Sequence, residues 1–339
     1  MSHGPNAFRR IPLARWGVQG AYLLFCLLVG IEFWRFHAQI LAGGAVTASR
    51  PGAVEAFLPI SALMGLKRFI LTGRYDAIHP AGLTIFIAAL LSAFFARKAF
   101  CSWVCPVGTL SRAVEWLGGK TLWRKRKAET LVPARLDRAL LSLKYLLLAF
   151  FGYIVLWQMD VAAIEAFMFG RYNIAVDAKM LLFFTDMSRT VALSLLALAG
   201  LSLLVKHFWC RYLCPYGAML GLFSWLSPQK VVRDASTCID CRACTRACPV
   251  EIRVQEKEGV TTPECTGCLS CVATCPVEDC LSVGRKGRSG WSPWLLPAVG
   301  IGTILLLWGV ARLTGHWNAA IPMPDLMDAY RQAASLAHP

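Results

Sequence analysis

Two cysteine runs in the last third of the chain constrain its fold more than any other feature. Residues Cys238–Pro249 and Cys265–Pro276 both follow the spacing C-x2-C-x2-C-x3-C-P, which is typical of a bacterial ferredoxin with two [4Fe-4S] clusters. In that arrangement the first three cysteines of a run bind one cluster, and the cysteine before proline binds the other. The predicted ligands are Cys238, Cys241, Cys244 and Cys275 for cluster 1, and Cys265, Cys268, Cys271 and Cys248 for cluster 2.

A zinc ribbon is the alternative interpretation, because paired C-x2-C motifs also bind zinc. Zinc would use two such pairs and would leave the third cysteine and the Cys-Pro of each run without a role. A disulfide framework is not indicated either, since such frameworks belong to short extracellular domains and eight of the 14 cysteines lie in these runs. The runs therefore predict two [4Fe-4S] clusters and one-electron transfer.

The rest of the chain is too apolar for an ordinary soluble protein, because 56% of its 339 residues are hydrophobic. A bilayer is crossed by about 20 apolar residues. The predicted spans are Trp16–Phe36, Pro80–Phe95, Ala139–Trp157, Thr190–Phe208 and Trp294–Leu313. We therefore predict an α-helical polytopic membrane protein of about five transmembrane helices, with an α+β two-cluster ferredoxin module of the bacterial type inserted before the last helix.

The net charge of +15 is unevenly distributed. Basic residues concentrate in 9–15, 97–138, 206–211 and 285–288, whereas the other two loops mix basic and acidic residues. Basic excess in alternate loops follows the positive-inside rule. It predicts a multi-pass protein of the bacterial inner membrane, with the N-terminus and the ferredoxin module cytoplasmic and the C-terminus periplasmic. Nucleic acid is not an expected partner, because no soluble segment carries a basic stripe with stacking aromatics.

A short motif occurs twice in the membrane part: Phe100–Gly108 reads FCSWVCPVG and Trp209–Gly217 reads WCRYLCPYG. Each copy follows an apolar span and precedes a stretch that ends in Trp-Leu. Two spans separate the copies, so they form a parallel internal repeat. Cysteines four residues apart share one helix face, and the following proline ends or redirects the helix.

The four cysteines of these motifs suit an additional metal or cluster site, and they are Cys101, Cys105, Cys210 and Cys214. Structural cysteines and redox-active thiol pairs are the alternatives. The predicted domains are a membrane core at 1–233 with both motifs, a 2×[4Fe-4S] ferredoxin domain at 234–284, and a fifth transmembrane helix with a short periplasmic tail at 285–339.

The order of these parts resembles the NapH/NosR-type family of polytopic membrane 4Fe-4S ferredoxin proteins, from about Arg15 to Val283. The resemblance implies quinol oxidation with electron delivery to periplasmic acceptors, or electron supply for metalloenzyme maturation. No flavin domain precedes the first span, unlike in the NosR type. A span after the ferredoxin is similar to that of FixG/CcoG-type proteins, which are linked to copper reduction.

We therefore expect an electron-transfer protein of the quinol dehydrogenase type that links the quinone pool to a periplasmic reductase, a cytochrome or a ferredoxin. It would act as a component of a quinol-oxidising oxidoreductase. The alternative is an assembly factor that supplies electrons for metal reduction, for example of copper, in a respiratory metalloenzyme. Quinol oxidation needs an apolar slot and a proton acceptor. Candidate acceptors in the outer loops are His79, Asp76, Glu165 and Asp177.

Overall fold

The computed structural model describes residue 8 and residues 10–121, 132–285 and 288–337. The α-helices are α1 Ile11–Ala42, α2 Pro59–Thr72, α3 Pro80–Ala96, α4 Pro106–Thr121, α5 Ala134–Tyr153, α6 Val161–Met168, α7 Arg171–Ile174, α8 Val176–Thr185, α9 Arg189–Leu204, α10 Pro215–Trp225, α11 Ala243–Arg246, α12 Ser270–Thr274, α13 Leu295–Leu313 and α14 Met323–Arg331. Short 3-10 helices cover Gly52–Phe57 and Val254–Glu256, and π-helical turns cover Phe100–Val104, Ile154–Gln158 and Trp209–Leu213. The strands are β1 Lys230–Arg233, β2 Leu281–Arg285 and β3 Arg288–Trp291.

Three helical segments in the described ranges are long and apolar enough to cross a membrane: α1, Arg135–Gln158 and α13. They correspond to the first, third and fifth predicted spans. The fourth corresponds to α9, which with α8 forms a pair bent by 77°. The second corresponds to α3, an apolar helix of 17 residues. The described residues thus contain three spans, or four if the bent pair counts as one, and the total of five remains a prediction.

The ends of these helices differ from the predicted ones for identifiable reasons. Helix α1 has 32 residues, which at 1.5 Å per residue is roughly 48 Å, longer than the 30 Å or so of a bilayer core. Helix α3 begins at Pro80, a residue suited to the first helical turn. It stops at Ala96 because Arg97 adopts a left-handed φ of 57°. Helix α9 ends at Leu204, before His207 with its φ of 52°.

The chain divides into two compact units. Unit 1 comprises 1–23, 89–148 and 197–304, and it contains both C-x3-C-P motifs and both ferredoxin cysteine runs. Its sheet has the order β1-β2-β3, with β1 antiparallel to β2 from Lys230↔Gly284 to Arg233↔Leu281. Strand β1 lies just before the predicted ferredoxin domain and closes its sheet.

Unit 2 comprises 24–88, 149–196 and 305–339. Its core contains Phe33 and Phe36 of α1, both edge-on to the ring of Tyr330 at centroid distances of 6.2 and 6.0 Å. Tyr330 lies in α14, so the last helix packs into the same core as the C-terminal half of α1. The C-terminal segment is therefore an integral part of this unit.

Candidate functional site

A cavity in unit 1 is lined by four cysteines together with apolar side chains of the ferredoxin module. The cysteines are Cys248, Cys265, Cys268 and Cys271, the set predicted for cluster 2. All except Cys268 are buried. The structure thus brings the Cys-Pro cysteine of the first run to the three leading cysteines of the second.

The two runs share one backbone pattern. Asp240 and Arg242 flank the second cysteine of the first run with φ of 49° and 58°, and Gly267 and Leu269 flank that of the second run with φ of 65° and 60°. These left-handed residues turn the chain directly before α11 and α12, which hold the third cysteine of each run. Only one of the four is a glycine, the residue that adopts this conformation without strain, so the left-handed conformation of the other three was not predictable from residue type.

The cysteines predicted for cluster 1 lie at the other end of the module. Cys244 lies near Cys275, and the Cys280 thiol lies beside Cys238 and Cys275 and donates to the carbonyl of Asp234 at 3.7 Å. Cys241 is exposed. The first run is therefore closer to solvent than the second, and Cys280 is a buried thiol beside its first ligand.

Arg15 is a residue of the second site that sequence reasoning missed. Its guanidinium donates to the carbonyl of Cys268 at 2.7 Å and to the hydroxyl of Ser270 at 3.0 Å. Burial would raise the pKa of Cys268, but the charge of Arg15 and local hydrogen bonds lower it below its ordinary value. A buried cation beside the thiols fits an anionic iron–sulfur cluster, whose potential depends on nearby charge and hydrogen bonds.

No three His, Cys, Asp or Glu side chains in the described ranges are placed to hold a single metal ion. The cluster assignment therefore depends on the cysteine spacing, the cavity and the comparisons given below.

The two C-x3-C-P motifs have the same local structure. Each begins in a π-helical turn, in which the amide of Cys105 bonds the carbonyl of Phe100 at 2.9 Å and that of Cys214 bonds Trp209 at 3.0 Å. The second cysteine is extended, and a new helix starts at the proline. The Sγ of this second cysteine accepts the backbone N–H of the residue three positions later. In the second motif the Gly217 nitrogen lies 3.2 Å from Cys214 Sγ, and in the first motif Gly108 is the donor to Cys105. The two cysteines of each motif were predicted to share one face of an α-helix, but the chain forms a wider π-helical turn there. Such turns are frequent at functional sites.

All four motif cysteines lie close enough to influence one another. Burial raises the pKa of Cys105 to about 12, and the neighbouring Cys210 and Cys214 add to that effect. The pKa of Cys101 is raised in the same way, by burial and then by Cys105 and the other two. Cys101, Cys105, Cys210 and Cys214 thus lie within electrostatic range of one another, and Tyr216 lies within the range of three of them.

Cys210 differs from its three partners because His207 lies next to it. The Nε2 of His207 is 3.0 Å from a carboxylate oxygen of Glu115, and the ring lies beside Cys210. Burial would lower the pKa of His207, but Cys210 and Glu115 raise it to about 9. Burial likewise would raise the pKa of Cys210, which His207 instead lowers. Sequence reasoning placed His207 at the inner boundary without a role.

The first motif is bonded directly to the cluster 2 loop. Ser102 donates its hydroxyl to the carbonyl of Thr266 at 2.7 Å, and Trp103 donates its indole N–H to the carbonyl of Gly267 at 3.3 Å. Ser102 and Trp103 lie between the two cysteines of the motif, and Thr266 and Gly267 lie between Cys265 and Cys268. The structure therefore joins the four-cysteine site to the predicted cluster 2 ligands.

A buried ionic network occupies unit 2. The guanidinium of Arg50 lies 2.7 Å from Asp177 and 2.9 Å from Glu55, and Tyr330 donates its hydroxyl to Asp177 at 2.6 Å. His79 faces Glu55 through Nδ1 at 3.5 Å. Two of the predicted proton acceptors, His79 and Asp177, thus belong to one cluster, in which Arg50, Glu55 and Tyr330 were not foreseen.

The other two predicted acceptors differ in setting. Asp76 is buried next to His79, and its Oδ1 accepts the backbone N–H of that residue at 3.0 Å. Burial raises the pKa of Asp76. Burial opposes protonation of His79, but Glu55 and Asp177 together outweigh it, and the pKa of His79 is raised. Glu165 stands apart, in an ion pair with Arg68 at 2.9 Å.

Family comparisons agree with this geometry. A family described as a 4Fe-4S dicluster domain matches residues 230–276, and one described as a 4Fe-4S binding domain matches 78–128 and 190–233, the segments that contain the two C-x3-C-P motifs. YccM of Escherichia coli K12, named as a candidate electron transport protein, is 37% identical over 98% of this chain and 94% of its own length. The chain belongs to the NapH-type family of membrane ferredoxin-type proteins.

Other members of the NapH-type family align over a smaller part of the chain. The ferredoxin-type protein NapH of Haemophilus influenzae is 27% identical over 61% of this chain and 65% of its own length. The methylamine utilization ferredoxin-type protein MauN of Paracoccus denitrificans is 28% identical over 53% of this chain and 60% of its own. No solved structure matches. Iron–sulfur electron transfer in a membrane protein is therefore the general activity of this chain.

Proposed function

We propose that this protein is an inner-membrane component of the quinol dehydrogenase type, which passes electrons between the quinone pool and a partner redox protein. The observation that carries the proposal is the cysteine-lined cavity of the ferredoxin module, joined by hydrogen bonds to the four-cysteine site of the membrane core. Clusters bound at such sites supply one-electron redox chemistry. Candidate partners are a periplasmic reductase, a cytochrome or another ferredoxin.

Each set of four cysteines is proposed to bind one cluster. Cys265, Cys268, Cys271 and Cys248 would hold cluster 2, and the rest of their cavity is lined mainly by apolar side chains. Cys238, Cys241, Cys244 and Cys275 would hold cluster 1. Arg15 would keep cluster 2 oriented through its bonds to Cys268 and Ser270.

The quinone site is proposed in unit 2, where helix α2 has one apolar face exposed. Ile70 and Leu71 are exposed, whereas Met64 and Arg68 on the other face are buried. An exposed apolar face next to charged residues suits a helix in the membrane interface. Asp76 and His79 follow α2 in the chain and would accept the protons that quinol releases.

The orientation follows from the charges of the loops. Basic excess in the segments before α1, after α3 and before α13 favours the cytoplasmic side for the ferredoxin module. A reporter fused near Gly284 should therefore read cytoplasmic, and one fused after Pro339 should read periplasmic. Readings on the same side would contradict the fifth span.

The four motif cysteines are proposed to hold a further cluster. In favour of shared ligation, the four thiols lie within electrostatic range of one another, and the family that matches both segments is described as a 4Fe-4S binding domain. Redox-active thiol pairs are the alternative. The two differ in their response to substitution, because a cluster loses stability when any one of its ligands is removed.

Iron content and electron paramagnetic resonance test the cofactors. Two clusters require roughly eight iron per chain and three require roughly twelve. Serine substitution of Cys101, Cys105, Cys210 or Cys214 should remove the same signal in each variant and leave the ferredoxin signals intact. Iron that stays at eight in the wild type and in all four variants would favour the thiol alternative.

Quinol oxidation is tested with purified, cluster-replete protein in proteoliposomes and an artificial electron acceptor. We expect reduction of the acceptor by a quinol analogue, and a large decrease in the His79→Gln variant. Protein that neither oxidises nor reduces quinone analogues would remove the quinone role and leave iron–sulfur electron transfer untouched.

A second function has its own supporting observation. The supporting observation is the ligand type: the site contains four thiols, and His207 lowers the pKa of one of them, Cys210, despite its burial. Soft thiolate ligands select Cu(I), so copper is the metal expected as substrate. In that case the protein would supply electrons for metal reduction during assembly of a respiratory enzyme. Stoichiometric copper binding that competes with iron at the four cysteines would favour this role.

A further inference from the structure

The guanidinium of Arg15 and the hydroxyl of Ser270 form a chain of contacts that ends at a proposed ligand of cluster 2. Nη2 of Arg15 donates to Ser270 Oγ at 3.0 Å, and Nη1 donates to the carbonyl of Cys268 at 2.7 Å. Ser270 Oγ in turn lies 3.6 Å from the Sγ of Cys268. Arg15 belongs to α1 and has only 6% of its surface exposed, so water competes little for these bonds.

Cluster binding fixes the direction of the last contact in this chain. A serine hydroxyl has one hydrogen and two acceptor lone pairs, and Arg15 occupies one of the lone pairs of Ser270. Cysteine binds a metal as the thiolate, which has no hydrogen to donate. With a cluster bound, Ser270 is therefore the donor and Cys268 Sγ the acceptor. The positive charge of Arg15 then polarises a hydrogen bond that points at the ligand.

The equivalent position of the first cysteine run carries a different residue. The residue before the third cysteine is Ala243 in the first run and Ser270 in the second, and each begins a short helix, α11 or α12. Alanine has no hydroxyl, so this position offers no side-chain donor to cluster 1. The two runs also differ in burial, because Cys241 of the first run is exposed whereas Cys265 and Cys271 of the second are buried.

Burial and hydrogen bonding act on cluster reduction in opposite directions. Reduction adds one negative charge to a cluster that already carries the negative charges of its thiolates. Burial disfavours that added charge, whereas a nearby cation and a hydrogen bond to a ligand sulfur stabilise it. Water can stabilise the reduced form at the exposed end of the module, but at the buried end this stabilisation must come from the protein.

We propose that Arg15 and Ser270 form a hydrogen-bond relay to Cys268 that stabilises the reduced form of cluster 2, raises its reduction potential and so offsets the effect of burial. The inference rests on the proposed function, because it requires cluster 2 at its four predicted cysteines. Arg15 and Ser270 are positioning residues, since they act through a ligand and do not bind iron themselves.

The experiment is a redox titration of the purified full-length protein with dithionite, followed by electron paramagnetic resonance. The cluster 2 signal is the one that the Cys271→Ser variant loses. Ser270→Ala and Arg15→Gln should both lower the midpoint potential of that signal. The larger shift is expected in Arg15→Gln, which removes a charge as well as the polarised donor. Arg15→Lys keeps the charge but not the paired donors, so its midpoint should lie between those of the wild type and Arg15→Gln.

Ser236→Ala and Arg242→Gln are the matched controls. Both residues are exposed and lie in or just before the first cysteine run, so these variants repeat the two chemical changes near cluster 1. They should leave the cluster 2 midpoint unchanged, and a shift as large as in the Ser270 and Arg15 variants would contradict the inference. A relay also predicts coupling: the Arg15→Gln shift should be smaller in a Ser270→Ala background than in the wild type. Shifts that simply add would overturn the relay.

Iron content is measured in every variant, so that loss of cluster 2 is distinguished from a change in its potential. If Arg15→Gln loses the cluster, Ser270→Ala and Arg15→Lys still report the potential. Midpoints that stay at the wild-type value in these two variants, or rise, would overturn this inference alone. A wild type without any signal that depends on Cys271 would overturn it together with cluster 2. Dithionite reduces the clusters without quinol, so failure of the quinone role would leave this test intact.

Discussion

The indole Nε1 of Trp103 donates a hydrogen bond to the carbonyl of Gly267 at 3.3 Å. Trp103 lies between the cysteines of the first C-x3-C-P motif and has 1% of its surface exposed. Gly267 lies between two proposed cluster 2 ligands and has a φ of 65°. This bond therefore links the membrane motif to a left-handed turn of the ferredoxin module.

The Trp103→Phe variant should weaken that link. It leaves the buried carbonyl of Gly267 without its donor, which costs about 1–3 kcal/mol. We expect earlier thermal loss of the visible cluster absorbance in detergent. Trp225→Phe is the control, because Trp225 is 61% exposed and surface changes usually stay within about 0.5 kcal/mol. Equal shifts in the two variants would contradict the structural role of Trp103.

The glycines that follow the two Cys-Pro pairs provide a matched pair of substitutions. A Cβ at Gly108 would lie 2.2 Å from the carbonyl oxygen of Cys101, whereas a Cβ at Gly217 would have its nearest neighbour, Cys214 Sγ, at 3.5 Å. We expect Gly108→Ala to displace the first motif and lower folded yield and iron content. Gly217→Ala should remain close to the wild type.

This comparison uses equivalent positions of the two motifs, so the chemical change is the same in both. Similar losses at both positions would show that the close approach at Gly108 is not the cause.

The cysteine spacing was the strongest guide to the site, since the cysteines predicted to share cluster 2 line one cavity. Spacing is informative there because a cluster needs thiolates from tight loops. Arg15 gave no such signal: its partners Cys268 and Ser270 are more than 250 residues away in the chain. The same holds for Arg50 and Tyr330, which are 280 positions apart. Contacts between distant segments depend on packing, which a local motif does not encode.

The buried ionic network of unit 2 was predictable only in part. Asp76, His79 and Asp177 were predicted as proton acceptors in the outer loops, and all three are buried. Glu165 was selected by the same criterion, but its side chain is 35% exposed and pairs with Arg68. Polar residues in a hydrophobic loop identify candidates, and only the fold distinguishes a buried network from a surface pair.

Arg50 is expected to be the most sensitive residue of that network. The Arg50→Gln variant leaves Glu55 and Asp177 buried without their common cation, and breaking a buried pair costs about 3–5 kcal/mol. Thermal unfolding in detergent should show a large decrease in stability. Arg171→Gln is the control, because the ion pair of Arg171 with Asp328 has exposed fractions of 59% and 51% and exposed pairs contribute about 0–1 kcal/mol. A loss at Arg50 no larger than at Arg171 would contradict the network.

Alkaline conditions should weaken unit 2 through His79. Its ordinary pKa is 6.5, burial alone would lower it, and Glu55 raises it in the folded protein. The folded state thus holds this proton more tightly than the unfolded state. The stabilisation is complete below about pH 6.5 and is lost as the pH rises through the raised pKa, with a slope of at most about 1.4 kcal/mol per pH unit. The charged and titratable groups that face the ring are Arg50, Glu55, Asp76 and Asp177.

Melting temperatures in detergent between pH 6 and pH 9 measure this dependence, and the informative quantity is the difference between the wild type and His79→Gln. Glutamine cannot bind the proton, so the variant should lose the part of the slope that His79 contributes, while contributions from Asp76 remain in both proteins. A wild-type curve that rises over this range, or a variant with the wild-type slope, would show that Glu55 does not hold a proton on His79 in the folded protein.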